Sequence, residues 1–220
     1  TIDPRQWPAD SVQASATERL ASLVFDRLAR FDDHGTPQPA LAISWQHDAQ
    51  YKRWQFKLRE GVKFSDGTLL TPEAATLALG QLLGTGFEVS MTPDSVVVQS
   101  DQSVANLPVL LAGGRYFIFH IANDGSLVGT GPFVISDRPG GGAGKEAISA
   151  VFAANKFRWA GRPFVDTIEL TMGASPQQQA NALAFGQADI IDLPASEVRR
   201  ATQRGARTVS SDPVDLFALQ

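Results

Sequence analysis

Apolar residues recur along the chain at two periods. In "SATERLASLVFDRLARF", Leu20, Leu23, Val24 and Leu28 fall at three- and four-residue steps, the single stripe of a helix packed on one face. Ser15 and Glu18 have capping-box spacing, so this helix is expected to open at Ser15 and to stop at "DDHG". In "WQFKLREGVKFSDGTLLTPEAA" the period changes to two: Trp54, Phe56 and Leu58 alternate with Gln55, Lys57 and Arg59, as in a half-buried strand. "ALAISW" precedes it across the polar "QHDAQYKR", which predicts a hairpin with Trp45 and Trp54 near its two strands. Asp66-Gly67 is a turn dipeptide. Thr71-Pro72-Glu73 then supplies a capping hydroxyl, a proline whose missing N–H costs nothing, and an acid at the positive end of a helix running to about Leu83.

"SVVVQS", "YFIFHIA", "GTGPFVIS" and "FVDTIELTM" read as strands, whereas "AISAVFAAN" fits either a helix or a strand. From Ser175 the pattern becomes helix, strand, helix. Ser175 caps "PQQQANALA", Gly186 stops it, "ADIIDL" is a short apolar strand, and "SEVRRATQRG" is a helix ended by Gly205. "DPVDLFALQ" runs into an apolar strand and stops, the expected mark of a cut polypeptide. No repeat of fixed period is present.

Composition narrows the chemistry. A 43% hydrophobic and 19% charged chain of 220 residues has the make-up of a globular protein with a substantial core. The net charge of −4 argues against a nucleic-acid surface covering the molecule. With no cysteine there is no disulfide, thiolate metal site or cysteine nucleophile. No apolar run approaches the roughly 20 residues of a membrane helix, and Thr1 opens on a polar, proline-containing segment with no visible signal peptide.

Candidate catalytic groups fail one by one. His34 and His47 stand in turn-like contexts, His120 in an apolar run as a core or edge-strand residue, and the three lack metal-ligand spacing. "PGGGAGKE" departs from a phosphate loop, with Pro139 in place of the first glycine and Glu146 in place of the magnesium-binding hydroxyl. Asp189 and Asp192, three apart on an expected strand, face opposite ways and make a poor acid/base pair. Arg199, Arg200, Arg204 and Arg207 are read as a solvated helical face.

The order of motifs goes further. "VFDRLARFDDHGTPQPALAISW", "WQFKLREGVKFSDGTLLTPEAA", "GTGPFVI", "NKFRWAGRPFVDTIEL" and "ALAFGQADII" resemble, over nearly the whole chain, the family 5 extracellular solute-binding proteins. These are the substrate-binding subunits of bacterial ABC importers for peptides, nickel and related solutes. The resemblance implies an α/β, type II periplasmic-binding-protein-like fold: a first lobe with an inserted α+β subdomain, the second lobe absent. Residues 1–44 would begin lobe I, 45–165 form the insert, and 166–220 return to lobe I. It further implies capture of a peptide or other small solute by hinge closure, without catalysis or cofactor. The protein would act as a monomer in the periplasm or otherwise outside the cytoplasmic membrane, with a lipid anchor on the native precursor among the expectations. Its partner would be a membrane permease; no nucleic acid is involved. By position, the family's ligand-facing strand falls on Gln13, Ala14, Ser15, Ala16 and Thr17, whose backbone groups would pair with an extended peptide. The chain departs from the family pattern in having "NKFRW" where asparagine-proline-x-tyrosine-tryptophan is more usual. A sensor domain of a transcription regulator would reuse the same fold, and a hydrolase working through Asp189 and Asp192 is a third, weaker reading.

Overall fold

The computed structural model describes residues 3–6, 12–137, 148–203 and 205–207. Its first helix, α1 (Val12–Val24), opens ahead of Ser15 and closes ahead of Leu28, so the expected helix exists with shifted bounds. The stop comes from tertiary structure. Phe25 N–H makes the last helical bond, to Ala21 O at 2.8 Å. The Val24 carbonyl, which a longer helix would give to residue 28, accepts instead from Gly131 N–H at 2.8 Å. Glu18, expected to reach back toward Ser15, pairs with Arg27.

The chain then runs through β1 (Asp26–Arg27), β2 (Ala29–Phe31) and β3 (Pro37–Pro39). "DDHG" thus ends a strand, not a helix. The Asp32 carboxylate accepts from the N–H groups of His34 at 2.9 Å and Thr36 at 2.8 Å, closing the β2–β3 hairpin. The predicted hairpin follows as β4 (Ala42–His47) and β5 (Arg53–Leu58), antiparallel, with Trp45 opposite Phe56. Trp54, Phe56 and Leu58 are buried, as their alternation requires.

Helix α2 (Pro72–Leu82) begins where the cap was read: Thr71 Oγ1 accepts from Ala74 N–H at 3.2 Å. Strands β6 (Phe87–Thr92) and β7 (Ser95–Ser100) complete an antiparallel sheet in the order β4-β5-β7-β6. Central β7 buries Val96, Val97 and Val98, whereas the edge strand β6 has only half-buried and exposed positions. Next come α3 (Leu107–Ala112), β8 (Phe117–Ile121), β9 (Leu127–Gly129), β10 (Phe133–Asp137), β11 (Ile148–Ala154) and β12 (Thr167–Met172). β8 lies in the middle of a β1-β8-β9 sheet, and β11 in the middle of β10-β11-β12. The ambiguous "AISAVFAAN" is therefore a strand. Phe25 packs against Phe117 and Phe119, at ring-centroid distances of 6.0 and 6.4 Å.

Gly129 and Gly131 of "GTGPF" allow the chain to press onto the end of α1. A Cβ on Gly129 would stand 2.1 Å from the Val24 carbonyl oxygen, and one on Gly131 would stand 2.3 Å from the Val24 carbonyl carbon. Only glycine permits that approach.

By internal packing the chain divides into two units, Thr1–Arg138 with Val151–Glu169, and Pro139–Ala150 with Leu170–Gln220. The second holds α4 (Pro176–Ala184) and α5 (Ala195–Gln203). Ser175 and Gln178 form a reciprocal capping box at the head of α4. The expected strand "ADIIDL" is not formed. Residues 188–193 are irregular, and no strand among the described residues pairs with them. A lone strand has no ladder to satisfy its backbone. Ile190 is exposed, and Asp192 N–H donates to Gln179 Oε1 at 3.2 Å.

Candidate functional site

In the first unit a cavity of about 620 Å³ opens beside the C-terminal half of α1. Helix α1 contributes Glu18 and Ser22. Strands β1 and β2 contribute Asp26, Arg27, Arg30 and Phe31, and Arg59 follows directly after β5. The segment after β11 closes it with Arg158 and Trp159.

Asp26 organises this wall. Its Oδ2 accepts from the Arg158 guanidinium, from Thr130 Oγ1 at 2.8 Å and from Trp159 Nε1 at 2.9 Å. Arg158 also donates to Thr130 O at 2.8 Å. Buried Asn155 holds the base of the segment: its amide donates to Gly131 O at 2.8 Å and its carbonyl accepts from Phe157 N–H at 2.9 Å. The asparagine and tryptophan of "NKFRW" thus position one side of the cavity. Arg27 lies 3.8 Å over the Phe117 ring and pairs with Glu18. Burial pushes its guanidinium down from its usual value, against the opposing pull of Glu18. Arg59 lies 4.5 Å over the Trp159 ring and donates from Nε to Ala40 O at 3.3 Å.

The candidates from the sequence fall as follows. Residues Gln13, Ala14, Ser15, Ala16 and Thr17 are helical in α1 and not extended. A helix spends its carbonyls on its own N–H groups, so these residues offer no ladder for an added strand. The side chains of Gln13, Ala14, Ser15 and Ala16 lie outside the described residues; Thr17 is half-buried, one residue from Glu18 on the cavity wall. His34 is exposed. His47 stacks on Tyr51 at 4.2 Å. His120 is half-buried on β8 where only β9 pairs with it, and its Nε2 meets Asp66 Oδ2 at 2.8 Å and Thr68 Oγ1 at 3.2 Å. Burial opposes ionisation of Asp66, but hydrogen bonds from the Thr68 N–H and hydroxyl and from His120 outweigh it and hold the carboxyl below its ordinary value. Asp189 and Asp192 are exposed on irregular chain. Arg199, Arg200 and Arg207 are exposed, as a solvated face requires; Arg204, the phosphate-loop-like "PGGGAGKE" and "DPVDLFALQ" lie outside the described residues. Among the described residues no cluster of His, Asp or Glu could hold a metal ion, and no helix is long and apolar enough to cross a membrane.

The second unit has its own cavity, about 550 Å³, between α4, residues 191–193 and α5. It is lined mainly by apolar groups such as Leu183, Ile191 and Leu193, and its Glu197 and Arg200 face each other at 4.0 Å. Its charges balance internally, whereas those of the first cavity do not.

A family model, bacterial extracellular solute-binding proteins, family 5 Middle, matches residues 36–217. The chain belongs to that family. Among its curated relatives, the nickel-binding periplasmic protein of Escherichia coli is 27% identical over 90% of the chain and 42% of that protein. The probable D,D-dipeptide-binding periplasmic protein DdpA of the same organism is 24% identical over 97% of the chain and 44% of that protein. The chain therefore spans less than half the length of either family member. An ABC transporter substrate-binding protein from Sinorhizobium meliloti shares the fold, with a TM-score of 0.77 at 22% identity over 93% of the chain and 45% of that structure. The fold class is that of the type II periplasmic-binding proteins, of which this family 5 chain is a mixed α/β portion.

The sequence pattern does not mark the charged residues that line this cavity. Asp26 and Arg27 fall within the segment whose apolar stripe predicts a helix, and "NKFRW" stands out only as a departure from the family pattern. Charges interleaved with aromatics in "VFDRLARF" and "NKFRWAGR" were the available signal, but nothing in a sequence says that residues 26 and 158 meet.

Proposed function

We propose that the chain forms part of the substrate-binding component of a bacterial ABC importer, working outside the cytoplasmic membrane and capturing a peptide or another small solute. The family match over residues 36–217 carries this reading. The cavity beside α1 supports it, since it is concave and sets charged side chains that converge on one space among the aromatic walls of Phe31, Phe117 and Trp159. Capture is by closure of a second lobe against this one, followed by docking of the closed monomer on a membrane permease, with no chemical change to the solute. Within the proposal, residues 45–165 are an insert in lobe I. The ligand wall runs from residues 13–17 of α1, through Thr17, to the cavity at Glu18.

The test uses the protein expressed from the complete reading frame that encodes this chain. Small-angle scattering should record a smaller radius of gyration with bound solute, and the melting temperature should rise with solute concentration. A protein that neither compacts nor gains thermal stability across a peptide and small-solute library refutes the proposal.

A further inference from the structure

We infer that the cavity beside α1 selects anionic solutes, engaging a carboxylate or equivalent acidic group through the guanidinium groups of Arg30 and Arg59. The inference rests on the solute-binding proposal and names the class of solute.

The charges that line this cavity do not balance. Four arginines, Arg27, Arg30, Arg59 and Arg158, line the cavity against two carboxylates, Glu18 and Asp26. Both carboxylates are committed. Glu18 pairs with Arg27 and Asp26 with Arg158, and each of these arginines also donates to a main-chain carbonyl, Gly114 O and Thr130 O respectively. Arg30 and Arg59 are left without a carboxylate partner among the described residues. Among the described residues the Arg59 side chain makes one hydrogen bond, from Nε, so its terminal N–H groups remain for a ligand. Its guanidinium carbon sits 4.5 Å over the Trp159 ring, and Trp159 is in turn held by Asp26. That guanidinium is pre-oriented, which lowers the ordering cost of binding. Arg30 is exposed on the edge of the same wall, free to swing onto a bound group.

Two unpaired cations facing one cavity, in a chain of net charge −4, run against the overall charge. Arginine forks match carboxylates bidentately, and this is their common use in recognition. A cationic solute would meet two like charges with both carboxylates already occupied. A neutral solute would leave the guanidinium groups unpaired as the lobes close and water leaves.

The experiment is isothermal titration calorimetry on the protein from its complete reading frame, with three probe sets matched in size. These are succinate and tricarballylate, their neutral amides, and 1,4-diaminobutane. Arg30→Gln, Arg59→Gln and Arg59→Lys are compared with Arg53→Gln, which removes one positive charge from an exposed site away from the cavity. The expected result is tightest binding of the anions, weakened by added salt. Arg59→Gln should cost about tenfold or more in Kd and Arg59→Lys less, with Arg53→Gln near the parent. Preferential binding of the amides or the diamine, or anion affinity unchanged in both glutamine variants, overturns the inference and leaves the solute-binding proposal standing. Failure of all three sets, together with a peptide and small-solute library, removes both.

Discussion

Replacing Gly131 by alanine tests the claim that "GTGPF" is glycine-bearing because two backbones touch. The added Cβ would lie 2.3 Å from Val24 C, 2.6 Å from Val24 O and 2.7 Å from Leu23 O. Unbonded carbon atoms rest at about 3.5–4.0 Å, so the end of α1 and the strand segment must part by roughly 1 Å. The atoms struck are main chain and cannot rotate away. Parting them also stretches the Gly131 N–H to Val24 O bond of 2.8 Å. Overpacking costs about 1–3 kcal/mol and a lost buried hydrogen bond about 1 kcal/mol more, giving roughly 3 kcal/mol. For a chain of this size, that lowers the melting temperature by roughly 6–12 °C. The companion variant is Gly80→Ala, inside α2 with no neighbouring atom within 4 Å of the added Cβ. There alanine should stabilise by about 0.5–1 kcal/mol through helix propensity and a stiffer unfolded chain. Thermal and urea denaturation followed by circular dichroism measure both. If Gly131→Ala melts with the parent, the close approach is not a constraint and the argument for the motif fails.

Other expectations follow from single contacts. Asp26→Asn keeps an acceptor for Thr130 and Trp159 but leaves Arg158 unpaired in a part-buried site, and should cost about 2–4 kcal/mol by urea denaturation. Arg162→Gln breaks an ion pair exposed on both sides (71% and 79%) and should cost less than about 0.5 kcal/mol; equal losses would refute the burial argument. Because the Asp66 carboxyl is depressed in the folded state, its contribution is complete above the unfolded carboxylate value near pH 4 and is lost as pH falls through the lower folded value. The urea midpoint of the parent should therefore fall more steeply than that of Asp66→Asn below about pH 4; parallel profiles would count against the network with Thr68 and His120. Thr71→Ala should cost about 1 kcal/mol in thermal denaturation, since the Ala74 N–H loses its cap, and no loss would mean the hydroxyl is idle.

Local grammar was readable wherever a short segment determines its own form. Trp54, Phe56 and Leu58 declared their buried face by alternation, and Thr71 and Ser175 declared helix starts that the caps confirm. What could not be read was set by partners distant in sequence. Leu28 continues the apolar stripe of α1 and is fully buried, but as part of the stretch between β1 and β2, because Asp26 pairs with Ile118 and Gly131 takes the Val24 carbonyl. Residues 188–193 have strand-like composition without a strand to join. His120 looked apolar by its neighbours, yet its side chain answers to Asp66, more than fifty positions earlier. The cavity suffers most from this blindness: Glu18 and Asp26, Arg59, and Trp159 come from three separate stretches, and each looks ordinary in its own.

The bond between Asp26 and Arg158 spans 132 positions of chain. During synthesis at about 5–20 residues per second, Asp26 waits roughly 7–26 s before its partner exists. Through that interval the β4–β5 hairpin and α2, whose partners are near, can form, while the Trp159 side of the cavity cannot be assembled. The charged wall of this cavity is therefore the late-maturing part of its unit. A nascent chain halted before residue 158 would carry most of the scaffold and none of the completed cleft.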